Sequence, residues 1–179
     1  MVTDPLGTTC SRRPGSAMLM VMVIVMAGLI AGGVASRTPA SAATSSTPSA
    51  GRVSTAVSVP TYEKRVQRWV NHMRENRGLR ALRGTRCAKN AAARWSVHLA
   101  ESERFYHQSM RVVLDRCDAT YAGETLARGA VGARRLVRMW MDSPSHRAIL
   151  LSAKANRIGV GATVDADGCW VVVADFVRI

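Results

Sequence analysis

Apolar side chains repeat at helical spacing over much of the second half of the chain, and then switch to strand spacing near the end. Residues 61–77 place Val66, Trp69, Val70 and Met73 on one face, with Gly78 positioned to stop the helix. A second helix is predicted over Arg86–Arg104 from Ala88, Ala91, Ala92, Trp95 and Leu99; its many alanines invite close approach by a neighbour. A third covers 130–141, with Val131, Leu136, Met139 and Trp140 near one face. Ser143 and Pro144 then read as an N-cap with proline at the first helical position, opening a short fourth helix that carries His146, Ile149 and Leu150.

The period changes in "RIGVGATV" and "CWVVVADFV", β-branched runs joined by "DADG", which predict a hairpin. Helices bracketing a late antiparallel sheet make this an α+β layered domain. The glycines of "IGVG" permit close approach of another backbone and are no phosphate loop, since no helix start follows. Trp69, Trp95, Trp140 and Trp170 fall at core-facing positions. His72 and His98 lie off the apolar stripes and are expected to be solvated.

The first part of the chain has neither period. Arg12 and Arg13 precede "AMLMVMVIVMAGLIAGGVAS", and small residues end in Ala40-Ser41-Ala42. Residues 1–42 therefore read as a secretory signal peptide or an uncleaved N-terminal membrane anchor. Residues 43–59 are small, polar and punctuated by proline, a disordered linker. Residues 60–179 are enough for one folded domain outside the cytoplasm, expected as a monomer.

The formal charge is +13, and setting aside Arg12, Arg13, Arg37 and Asp4 with the leader leaves +11. The arginines are scattered and no nucleic-acid motif accompanies them, so nucleic acid is not the expected partner. For an exported protein, an anionic envelope polymer or lipid headgroup fits better. Cys10 lies ahead of the apolar run, leaving Cys87, Cys117 and Cys169 where oxidation is expected. Three thiols allow three single pairings with one left over. The favoured pair is Cys87–Cys117, which would tie a loop carrying Glu124 to the helix that leads to His107.

"FYHQS", "AGETLARG", "MWMDSPSHRAILL" and "RIGVGATVDADGCWVVVADF" follow one another at spacings that resemble the bacterial branch of the CAP superfamily. This family, the SCP-like extracellular proteins, includes cysteine-rich secretory, antigen 5 and pathogenesis-related proteins. The resemblance spans residues 62–177 and implies an α-β-α sandwich with a cleft lined by two histidines and an acid. Carried over by position, these are His107, His146 and Glu124. There are departures: Thr125 stands where the family has asparagine, Ser145 where it usually has glycine, and Asp142 lies one position from a further acid of animal members.

Two imidazoles and a carboxylate are the donors of a weak zinc site, with His107 and His146 as metal ligands. Glu124 would be a ligand, a general base, or the acceptor that fixes a histidine tautomer. His146, at the third position of its helix, is expected neutral because the positive helix end disfavours imidazolium. The function expected is a secreted or envelope-associated module that binds lipid or an envelope ligand. The alternative is a zinc-assisted, peptidase-like hydrolase using the same three residues, although the chain has no H-E-x-x-H helix and no nucleophile turn.

Overall fold

The computed structural model describes residues 57–102 and 104–179; the leader, most of the linker and Cys10 lie outside the described residues. In chain order the elements are α1 (Val59–Glu75), β1 (Arg83–Gly84), α2 (Arg86–Glu101), α3 (Met110–Cys117), β2 (Tyr121–Gly129), α4 (Ala133–Asp142), α5 (Pro144–Leu150), β3 (Arg157–Val164) and β4 (Trp170–Arg178). The sheet order is β1-β3-β4-β2, with β1 parallel to β3 and the other pairs antiparallel. β2 is therefore an edge strand.

Helices cover both faces of this sheet. Because side chains alternate along a strand, Val172, Ala174 and Phe176 of β4 point into one core, with Val66 and Val70 of α1 and Leu136, Val137 and Trp140 of α4. The other face meets α2 and α3: Val177 joins Ala88, Ala91, Val113 and Cys117, while Val171 and Val173 join Ala92, Leu99 and Leu126. The result is the α-β-α sandwich expected.

Contact between α2 and β3 is close enough to exclude side chains altogether. A Cβ on Gly159 would run into the Ala88–Lys89 peptide, and one on Gly161 into the Ala92–Ala93 peptide. The alanine-rich face of α2 and the two strand glycines are thus two halves of one contact, backbone against backbone. Gly78, at φ +70°, ends the α1 turn in the left-handed region as expected.

Several sequence expectations need correction. The second helix stops at Glu101 rather than Arg104, and α3 was not foreseen. Glu124 lies on strand β2, paired throughout with β4, and not in a loop. Ser143 stands at the N-cap of α5, but its hydroxyl makes no capping bond and meets Ser145 Oγ at 3.3 Å instead. The Cys87–Cys117 disulfide is present, with Cα atoms 5.4 Å apart, and pins α2 to α3. No thiol is left over among the described residues, since buried Cys169 is disulfide-bonded as well. Among the described residues no helix is long and apolar enough to cross a membrane.

Candidate functional site

The site forms around the β2 edge of the sheet. Glu124 opposes Asp175 in the β2–β4 register, so two carboxyl groups sit side by side on the α2/α3 face of the sheet. Both are buried, Glu124 at 3 % exposure and Asp175 at 0 %. Such a pair is costly unless its oxygens find donors.

The donors come from the segment between α2 and α3. His107 Nδ1 donates to Glu124 Oε1 at 2.7 Å, and the backbone N–H of Gln108 donates to the same oxygen at 3.2 Å. Gln108 Nε2 donates to Glu124 Oε2 at 2.7 Å and reaches both oxygens of Asp175 at 3.1 Å. One carboxamide thus bridges two acids. Since a carboxylate can only accept, the His107 proton must be on Nδ1, and Nε2 faces outward.

The same segment is anchored from α2. Trp95 Nε1 donates to the carbonyl of Tyr106 at 3.0 Å, and His98 Nε2 meets the Tyr106 hydroxyl at 2.7 Å. His98 stacks on Trp95 with ring centroids 4.6 Å apart. His98 is exposed, as expected, but it is not merely solvated: with Trp95 it fixes the residue before His107.

His146 arrives from the other layer on α5, and Ile149 of the same helix packs close to Gly123 of β2. The two imidazoles have opposite tendencies. Hydrogen bonding to Glu124 raises the His107 pKa against the effect of burial. Burial lowers that of His146, and the facing charge of His107 lowers it further. The direction expected for His146 holds, with desolvation first and the facing His107 second as its causes. Asp175 is pushed up to about 8, by burial first and the neighbouring Glu124 charge second, with Gln108 opposing. Near neutral pH it is a neutral acid.

The structure brings His107 and Glu124 into direct contact and sets His146 within electrostatic reach of His107. Gln108 and Asp175 were missed from sequence. Asp175 carried a signal, a lone acid inside the apolar run "WVVVADFV"; Gln108 carried none. For a metal, the arrangement offers two ring nitrogens. Glu124 is occupied by His107 and Gln108, and no group of three or more His, Cys, Asp or Glu among the described residues could hold a metal ion. Two ring nitrogens are fewer than the three or four protein ligands of a resident zinc.

Residues 67–176 match the model of the CAP, or cysteine-rich secretory protein, family. The chain belongs to the CAP family. It is 30% identical over 143 residues to the uncharacterized protein YkwD of Bacillus subtilis, covering 76% of this chain and 54% of that one. The CAP chain thus spans about half the length of that relative. Solved structures with the same fold include an outer surface protein from Borrelia burgdorferi, at TM-score 0.62 and 20% identity, over 68% of this chain and 96% of that one. An extracellular SCP-domain protein from Bacillus anthracis matches at TM-score 0.58 and 20% identity, over 68% of this chain and 43% of the other. A cysteine-rich secretory protein from Staphylococcus aureus gives 0.57 and 22%, over 69% and 40%. The CAP sandwich of these structures is the fold described above.

Proposed function

We propose that the chain is an exported, envelope-associated binding module whose open cleft at the β2 edge takes a polar or anionic group of a lipid or cell-wall ligand between His107 and His146. The observation that carries the reading is the asymmetry of the two imidazoles. Glu124 favours a charged His107 whose side chain is still 58 % exposed, while His146 is held toward the neutral form. A cationic donor beside a neutral ring that can donate or accept suits recognition of an oxyanion better than bond cleavage. Glu124 is poorly placed as a general base, because both of its oxygens already accept hydrogen bonds and its side chain is 1 % exposed. Exported relatives, one named for the outer surface and one as an extracellular protein, support the location.

The reading is tested by titrating the protein with dispersed envelope lipids and with soluble cell-wall fragments while the His107 and His146 ring signals are followed by NMR. Saturable shifts at both rings, lost in His107→Ala, are expected with one of the two ligand classes. If neither class moves either ring, the cleft is not a binding site.

A further inference from the structure

Six exposed cations stand on the two helices that cover the Val172–Phe176 face of the sheet. On α1, Lys64, Arg65 and Arg68 are exposed; on α4, Arg134, Arg135 and Arg138 are exposed. The two helices pack side by side over the same face of the sheet. Their contact is fixed near the start of both helices by Tyr62, whose hydroxyl donates to the carbonyl of Val131 at 2.7 Å. Arg134 lies over the ring of Trp69, 5.0 Å from its centroid, so the basic rows of α1 and α4 adjoin. Among the described residues none of the six cations is in an ion pair. Of the acids on these helices, Glu63 is buried and paired with Lys89, Asp142 occupies the last position of α4, and Glu75, at the end of α1, lines one concavity with Lys64 and Arg68.

We propose that this outer face of α1 and α4 docks the protein onto a bilayer bearing anionic phospholipid. Two properties favour a bilayer over other anions. Trp69 is half-buried between the rows with His72 edge-on at 5.1 Å, the kind of ring that settles at headgroup depth. Five of the six cations are arginines, whose guanidinium groups pair bidentately with phosphate. The proposal rests on the extracellular, envelope-associated reading above and is independent of the cleft ligand.

The test is co-sedimentation of the full chain with phosphatidylcholine vesicles, with and without phosphatidylglycerol. The apolar N-terminal segment contributes to both, so the excess on anionic vesicles is the readout. That excess should fall with salt and drop roughly fivefold per arginine removed, about a hundredfold in Arg134→Gln/Arg135→Gln/Arg138→Gln. Arg65→Gln/Arg68→Gln repeats the test on the other helix, so that a defect confined to α4 cannot mimic the result. Arg86→Gln/Arg94→Gln/Arg116→Gln, with the same net charge but changed on α2 and α3, should keep most of the excess. Equal losses in both triple variants, or none in the first, would overturn the proposal. So would preferential capture of the wild-type chain by soluble dextran sulfate over the anionic vesicles, which would assign the face to a polymer. Loss of vesicle docking with the His107 and His146 shifts intact, or the converse, separates failure here from failure of the cleft reading.

Discussion

Asp175→Asn should make the protein more stable at neutral pH, although it alters a buried residue beside the candidate site. The reasoning is a linkage argument. Asp175 has its folded pKa raised from 3.8 to about 8, so the native state binds a proton that the unfolded chain has lost over that interval. A raised folded pKa gives stability that is fully present below the unfolded value and lost as pH rises toward the folded one. Between pH 4 and 8 this one group lowers stability by about 1.4 kcal/mol per pH unit, which accumulates to the order of 4 kcal/mol at pH 7. The residue is at 0 % exposure, so solvent screening does not soften the figure. Asparagine has the shape of the neutral acid and does not titrate. Its carbonyl can still accept from Gln108 Nε2, so the variant keeps the bridge to Glu124 at a hydrogen-bond cost of about 1 kcal/mol. A net gain of roughly 2 to 3 kcal/mol at pH 7 is expected after that cost.

Urea unfolding of both proteins at several pH values from 4 to 8.5 measures it. His107 also loses stabilisation as pH rises from 6.5 through its raised value, and His146 works the other way, losing stability as pH falls below 6.5. Both are present in wild type and variant, so to first order the difference between the two proteins isolates Asp175. That difference should be near zero or slightly unfavourable at pH 4 and should grow with pH. A constant difference across the range, or an Asn variant that is about 2 kcal/mol weaker everywhere, would refute a neutral Asp175.

Gly159→Ala should destabilise by at least about 3 kcal/mol in thermal or urea unfolding, because the new methyl meets the Ala88–Lys89 backbone rather than a side chain that can turn away. Thr125→Val should raise stability by about 1 kcal/mol, since the Thr125 hydroxyl is buried without a hydrogen-bond partner among the described residues and valine has the same shape. Zinc titration should show only weak binding, with half-saturation no tighter than the micromolar range expected of two nitrogens, and His107→Ala/His146→Ala should abolish it. Tight binding that survives the double change would place the metal elsewhere.

How much of this was legible from sequence depends on whether a segment's neighbours agree with its local pattern. Helices α1, α2 and α4 each bury one apolar stripe, and the β3–β4 hairpin is two β-branched runs around a turn that are buried on both faces, so local pattern and tertiary burial coincide. β2 is different. "YAGETLARG" contains glycine, an acid and an arginine, all of which argue against a strand, yet β4 supplies a full ladder of partners and overrides them. α3 has eight residues, of which only Val113 and Cys117 are buried, too few to display a period. The grouping of His107, Glu124 and His146 was legible only through the family pattern. Nothing local to His107, Glu124 or His146 distinguishes a site residue from a satisfied histidine or a loop acid.

The acid that family spacing did not mark is the one that departs furthest from what a sheet interior prefers. Every other residue of β4 from Val171 to Val177 is a buried apolar side chain, and Asp175 interrupts them next to a second acid. A domain under selection for stability alone would place valine there, as it does at Val173 and Val177. Among the described residues the side chain that offsets the cost is Gln108, whose position is in turn held by the Trp95, His98 and Tyr106 contacts beside it. A destabilising group with a dedicated support is the usual mark of a site and not of a core. The two readings separate in Asp175→Asn itself. Higher stability with weakened shifts at His107 and His146 on ligand addition means that the neutral acid sets the cleft. Higher stability with unchanged shifts means that Glu124 and Gln108 suffice, and that Asp175 is a tolerated fault in the sheet.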